Sequence, residues 1–360
     1  MFVTAIVFII ILGLLVFVHE LGHFLMARRA GIKVEEFAFG FPPRLFRVKR
    51  GETEYALNLF PIGGYVRMLG EDEASKSDVA NPRSFAHQSV WVRSKVVVAG
   101  VTMNVILAWL LISLGFILGM SPLVTPPDQI PYAEVTHEVI ISNILAASVA
   151  SDLGLKPGDV AIAIDDVTIN NQKQLIDYTT SNRGKHIIFT VMRDGKEMKF
   201  EATLGSGQYP LGAALADQSK AKLPIWWAPI YAIWETIKSV GMIFVAILDF
   251  FRQLFVSRAV PEGAAGPVGL FQLTNTILDY GFTALLSFTA MISINLAIVN
   301  ILPIPALDGG RLLFIILEKV NKGKKVVSST IENTAHTVGF ALLILLIIAI
   351  TYSDIVKLNG

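Results

Sequence analysis

Cysteine is absent from the 360-residue chain, which excludes disulfide cross-links, thiolate-ligated zinc and a thiol nucleophile. Charge is scarce: Asp, Glu, Lys and Arg make up 16% of the residues, against about 25% in soluble globular domains. The 30 basic and 29 acidic residues leave a formal net charge of +1, so there is no electrostatic footprint for nucleic acid and that partner class is set aside. Internal repeats and low-complexity tracts are also missing. What the chain has in excess is apolar surface. A hydrophobic content of 53% and a mean hydropathy of +0.58 describe a membrane protein before any motif is read. Its chemistry must run on His, Asp, Glu, Ser or Asn.

Four stretches are long and apolar enough to cross a hydrocarbon core of roughly 30 Å as helices. The first occupies residues 1–30 and stops at Arg28 and Arg29. No basic n-region or small-residue cleavage site precedes its apolar run, so it reads as a retained helix with its N-terminus outside. The other three are 94–120, 282–310 and 337–353. Arg28, Arg29, Arg93, Lys95, Arg311 and a lysine-rich loop at Lys322, Lys324 and Lys325 then all face the cytoplasm, which satisfies the positive-inside rule with both termini extracytoplasmic. Residues 223–257 are also apolar, but Glu235, Lys238, Asp249 and Arg252 divide them into uncharged pieces of about a dozen residues or fewer, short of the ~20 that a crossing needs. Ile233, Ile237, Val240, Phe244, Ile247, Phe251 and Phe255 recur at helical spacing, which predicts an interfacial amphipathic helix among membrane lipids. Trp226, Trp227, Tyr231 and Trp234 suit an aromatic belt at headgroup depth.

Two segments between spans are more polar. Residues 34–70 alternate apolar and polar positions, as at Tyr55, Leu57 and Leu59, with turn chemistry at Gly51, Pro61 and Gly63-Gly64. They read as β-hairpins on the cytoplasmic side. Residues 126–207 hold strand-like AIAID, helical QKQLIDYTT, then IIFTVM and MKFEATL joined at Asp194-Gly195, a mixed α/β domain outside. The fold class expected is a polytopic α-helical membrane protein: four transmembrane helices, a membrane-associated β-hairpin region and an inserted extracytoplasmic α/β domain.

His19-Glu20-Leu21-Gly22-His23 places two imidazoles at i and i+4 on one face of the first helix, with a carboxylate beside them. One metal can be shared by the histidines while Glu20 handles protons. Ionisable residues at membrane depth are expensive unless paired or coordinated, which favours a functional reading over a helix-end cluster snorkelling into headgroups. A catalytic zinc takes three protein ligands, so a third must come from elsewhere at matching depth. Asp308, at the end of the third span behind Pro303 and Pro305, meets that condition if spans one and three both run outside to inside. An ordinary turn Asp before Gly309-Gly310 is the bland alternative.

HELGH in a first span, GGYVRMLGE after it, GPVGL at Gly266–Leu270 and NILPIPALDGG near the third span together resemble the bacterial site-2 proteases of the RseP/RasP-like branch. The resemblance implies an intramembrane zinc metalloprotease with zinc on His19, His23 and Asp308, Glu20 as catalytic base and Asn300 helping to hold the substrate backbone. It also implies that residues 34–70 are a membrane-reentrant β-loop and that 126–207 are a PDZ-like module, one rather than two. Substrates would be single-pass transmembrane proteins such as anti-sigma factors, and remnant signal peptides, in a bacterial inner membrane. Relatives commonly carry Gly-Pro ahead of the Asn of the second span; this chain has Gly100-Val101 before Asn104, and no role is read there.

An exposed strand edge at residues 55–60, including Tyr55, Leu57 and Leu59, is the expected substrate clamp. The remaining histidines, His87, His137, His186 and His336, stand alone in polar or loop contexts and read as surface residues. A metal transporter would need further polar ligands across the bilayer, and the second and fourth spans offer almost none. A noncatalytic membrane-anchored scaffold has no use for an intact HExxH.

Overall fold

The structure, a computed structural model, describes residues 1–71, 80–193, 195–257, 265–321, 327 and 329–359. The expected turn residue Asp194 and the loop lysines Lys322, Lys324 and Lys325 lie outside the described residues. Two compact units are present: Met1–Leu110 with Thr236–Thr274 and Thr289–Gly360, and Leu111–Glu235 with Asn275–Phe288.

The first unit begins with α1, Phe2–Arg29. Its 28 residues extend about 42 Å at 1.5 Å per residue, more than a bilayer core requires. Ile11, Leu15, His19, Gly22, His23 and Ala27 form a buried stripe at helical spacing, while Ile6, Ile10, Leu14 and Phe17 are exposed. The two histidines therefore continue the protein-facing stripe and stay off the opposite, apolar face. The next helix is α2, Val90–Leu118. A Cβ built on Gly22 would collide with the Ala99 carbonyl, so glycine is what lets α1 and α2 approach backbone to backbone.

Strands β1, Val34–Arg50, and β2, Thr53–Met68, form an antiparallel sheet. Both strands are long and bent, so their register describes four segments. Residues 53–58 pair on one side with 36–39, through Phe37↔Tyr55 and Phe39↔Leu57, and on the other with 44–50, through Val48↔Tyr55 and Phe46↔Leu57. Residues 34–39 pair in turn with 64–68, through Phe37↔Val66 and Ala38↔Tyr65. This overturns the expected edge at 55–60: Tyr55 and Leu57 sit in a central strand, and the free edges are 44–50 and 64–68. Alternating hydrophobicity reports which face a residue takes but not its neighbours in the ladder. The sheet packs on α1 through Phe24, Phe37 and Tyr55, with Phe24–Phe37 centroids 5.1 Å apart.

The second unit contains β3 Glu134–Ile144, the single turn α3 Val149–Asp152, β4 Val160–Ile164, β5 Val167–Thr168, α4 Gln172–Ser181, β6 His186–Arg193, β7 Lys196–Thr203 and β8 Ala213–Lys222. The sheet order is β7-β6-β4-β3-β8, with β5 paired to β4. Alternate residues Ile187, Phe189 and Val191 of β6 are buried with Val139, Ile141, Ile164 and Leu175 in one core. Asn171 caps α4 by accepting from the Gln174 amide at 2.8 Å. Strand β8 lies beyond the boundary at 207 expected from sequence. Its AALADQSKAK has little strand propensity of its own, and its pairing along β3 supplies the conformation.

The remaining helices are α5 Ala228–Ser257, α6 Pro267–Asp279, α7 Phe282–Ile301, α8 Asp308–Val320 and α9 Ser329–Asn359. Among the described residues five helices are long and apolar enough to cross a membrane, Ala228–Leu254 being the one beyond the four expected spans. Charge at Glu235 does not interrupt this helix, because the carboxylate is fully buried and accepts from the Val124 amide at 2.8 Å and Thr125 Oγ1 at 2.6 Å. The third span is also shorter than expected. Helix α7 ends at Ile301, and Asp308 opens a separate helix after the break at Pro303 and Pro305.

Candidate metal centre

Within the first unit, His19 and His23 of α1 meet Asp308 of α8. His19 Nε2 is 3.0 Å from Asp308 Oδ2, His23 Nε2 is 3.2 Å from the same oxygen, and the two Nε2 atoms are 3.2 Å apart. Both histidines are buried. Four tetrahedral donors at 2.0–2.1 Å from zinc would stand about 3.3 Å from one another, so this triangle is the size that such an ion imposes. Asp308 Oδ2 is buried and makes no hydrogen bond despite its two close nitrogens. Three lone-pair donors crowded on one point fit a cation. Two imidazoles and a carboxylate are also a catalytic zinc set, which leaves a fourth position open.

Helix α2 orients the imidazoles from behind. His23 Nδ1 lies 2.9 Å from the Val96 carbonyl and donates to it, which leaves Nε2 as the lone-pair nitrogen. The Asn104 amide is 3.4 Å from His19 Nδ1, and the Asn104 Oδ1 atom has no hydrogen-bond partner. Turning that amide brings Oδ1 to the Nδ1–H of His19 and satisfies both groups. Gly100 completes the support: a Cβ there would strike His23 Nε2 and stand 2.9 Å from His19 Cε1. Sequence reasoning assigned nothing to Gly100 or Asn104. The available signal was an Asn inside an otherwise uncharged span.

A cavity of about 650 Å³ opens on these groups and is lined by His19, Glu20, His23, Gly64–Met68, Val96, Asp308, Arg311 and His336, among others. Glu20 lies against the sheet, its Cγ 3.2 Å from where a Gly64 Cβ would be. Gly64–Met68 is the edge segment with no strand partner on its far side among the described residues. Arg311, one turn past Asp308, is ion-paired with Glu71 at the cavity wall. Not every expected site residue is brought here. Asn300 is half-buried near the end of α7 and is not part of the lining. Tyr55 and Leu57 line a different, apolar groove with Ile10, Leu14 and Phe17, and Leu59 is exposed. His336, expected on the surface, is half-buried on α9 and borders the cavity.

The close fit at Gly100 makes it the most sensitive position behind the imidazoles. Gly100→Ala should lower metal retention by at least 10-fold, and Asn104→Ala should lower it by about 10–100-fold, the usual effect of removing a group that orients a ligand. Metal analysis of the purified variants after titration with a chelator measures both, and parental retention in Gly100→Ala would show that the imidazoles are not held where they stand.

The chain matches the profile of Peptidase family M50 over residues 7–346. A Clostridium acetobutylicum protein, provisionally named a zinc metalloprotease, is 33% identical over 359 residues, covering 99% of this chain and 98% of that protein. The Bacillus subtilis protein named regulator of sigma-W protease RasP is 30% identical, covering 99% of both chains. The zinc metalloprotease RasP of Bacillus licheniformis is 28% identical with the same coverage. Among solved structures, the PDZ domain of an SdrC-like protein from Listeria monocytogenes is 20% identical and covers 22% of this chain and 86% of that chain, with a TM-score of 0.20. A profile match along nearly the whole sequence, with a relative 33% identical from end to end, establishes that the chain belongs to peptidase family M50, the site-2 proteases.

Proposed function

We propose that this site-2 zinc metalloprotease holds its metal on His19, His23 and Asp308 and cleaves membrane-spanning segments of single-pass proteins near the cytoplasmic face of a bacterial inner membrane. Anti-sigma factors and remnant signal peptides are the substrate types that suit such a site. One observation carries the reading: His19, His23 and Asp308, which could share one metal ion, the adjacent Glu20 carboxylate and a strand edge unpaired among the described residues border a single cavity.

Zinc bound there would polarise a scissile carbonyl and lower the pKa of a coordinated water towards 7. Glu20 takes the proton of the attacking water and later delivers it to the leaving amine, acting first as base and then as acid. A substrate helix hides its amides in its own hydrogen bonds, so it must unwind locally. The edge Gly64–Met68 then binds it as an added strand through main-chain hydrogen bonds. Gly64 leaves no side chain between that edge and Glu20, so an extended chain on the strand passes close to the base. Asn300 holds substrate backbone outside the cavity lining. Residues 126–222 make up the inserted PDZ-like module.

The same contacts support a topology. His19 and His23 are near the C-terminal end of α1, and Asp308 follows the C-terminal end of α7. Their contact supports parallel runs for α1 and α7, with one net crossing, α2, between them. Helix α5 then lies at the interface rather than crossing, and both termini are extracytoplasmic.

Glu20→Gln should keep its zinc and lose cleavage of a model transmembrane substrate by at least about 100-fold. Near-normal turnover would refute the mechanism. Proline tests the clamp, since it removes a backbone donor. Successive edge residues point their amides in opposite directions, so one of Tyr65→Pro and Val66→Pro should cut cleavage with zinc unchanged. Leu57→Pro, in a central strand, should instead disrupt the sheet. Full activity in both edge variants would place substrate capture elsewhere. For topology, the cysteine-free chain accepts single reporters: cysteines at Ser89 and Val320 should be shielded from an impermeant thiol reagent in intact cells, and one at Ser206 should label. Labelling at Val320 would mean that α5 crosses the membrane.

A further inference from the structure

Helix α9 carries a histidine that the mechanism above does not use. The Nδ1 atom of His336 accepts a hydrogen bond from the Ala306 amide at 2.8 Å. A neutral imidazole that accepts at Nδ1 carries its proton on Nε2, so this one contact sets the tautomer and the direction of the ring. Ala306 stands two residues before Asp308 and has a φ of 81°. That is the left-handed region, which residues bearing a Cβ disfavour. Such a conformation persists only where its surroundings hold it.

Helix α9 holds it from two adjacent turns. At Gly339, three residues beyond His336 and on the same face, an added Cβ would run into the Pro305 carbonyl and come within 2.8 Å of Pro305 Cβ. The helix therefore rests directly on residues 305–306. The imidazole also faces Phe314 of α8, with ring centroids 5.8 Å apart at 55°. One side chain thus grips the turn that precedes Asp308 and touches the helix that Asp308 opens.

We propose that His336 is a positioning residue for Asp308: by accepting the Ala306 amide it holds the left-handed turn from which that carboxylate reaches His19 and His23. The proposal rests on the reading of Asp308 as a metal ligand. It assigns the last helix a part in the metal site, although none of its side chains is a donor in the triangle.

Asparagine and glutamine separate the two ring nitrogens, because Asn places its polar atoms near the Nδ1 position and Gln near Nε2. The full-length protein is purified in detergent, titrated with a zinc chelator and assayed for cleavage. In His336→Ala the chelator concentration that removes half of the zinc should fall about 10-fold or more, with cleavage falling in step. His336→Gln should resemble His336→Ala, whereas His336→Asn should stay within about 3-fold of the parent, well inside the 10–100-fold penalty of losing an orienting group. Gly339→Ala, which leaves the imidazole intact but pushes α9 from Pro305, should also weaken zinc retention.

Parental zinc retention in His336→Ala overturns the proposal. So does rescue by Gln but not Asn, which would move the role to Nε2, and so does loss of cleavage with zinc retention unchanged. An Asn variant that cannot be obtained folded counts against it as well, because an acceptor at the δ position is claimed to suffice. His19→Ala distinguishes the underlying reading. If that variant keeps zinc, the metal site itself is wrong; if it loses zinc while His336→Ala retains it, only the role of His336 fails.

Discussion

Placing imidazoles and a carboxylate inside an apolar span is the constraint on which the rest of the first unit depends. An isolated Asp at the centre of a membrane helix costs about 2.5–3.5 kcal/mol on insertion scales, and a buried polar group without a partner costs further. The proposed ligands resolve this together. His23 is anchored by the Val96 carbonyl and His19 is met by Asn104. Asp308 occupies the first turn of α8, where the positive end of the helix dipole favours a carboxylate. One ligand atom from each of the three residues then lies within 4.8 Å of the others.

Close approach is achieved by leaving side chains out. Gly22 admits the α2 backbone, Gly100 makes room for the two rings, Gly64 brings the strand edge beside Glu20, and Gly339 seats α9 on Pro305. These four positions lie on different elements, yet at each an added Cβ would crowd a neighbouring element. Small residues at helix contacts are a general way to pack in lipid, where burial of apolar surface gives little drive for helices to associate.

The sheet meets the same constraint on its backbone. At membrane depth every main-chain donor and acceptor needs a partner unless it faces a water-filled cavity. Residues 53–58 are paired on both sides, and Asn58 Nδ2 and Thr53 Oγ1 donate to the Gly40 and Val34 carbonyls. The Glu36 carboxylate, fully buried, accepts from Arg44 and Tyr65 and is ion-paired with Arg67. The segment at Gly64–Met68 opens instead onto the cavity. Of the two free edges among the described residues, 44–50 and 64–68, it is the one that borders the cavity.

The local parts of this molecule were legible in its sequence. HExxH needs only the i, i+4 geometry of one helix and the apolar runs needed only length, whereas Asp308, expected at the end of the third span, opens a helix of its own beyond Pro303 and Pro305. The LDG segment could be placed near the histidines because positive charges orient the spans. Tertiary structure decided the rest. It made residues 53–58 central and 64–68 the edge, it drew β8 from a sequence of low strand propensity, and it buried Glu235 so that a charge no longer interrupted α5. It also placed Gly100, Asn104 and His336 around the donors, while Asn300 stayed outside the cavity lining. The physical reason is one of range: periodicity and charge act over one or two turns of chain, whereas a strand's second neighbour or a ligand's support depends on packing between residues as far apart as His19 and Asp308.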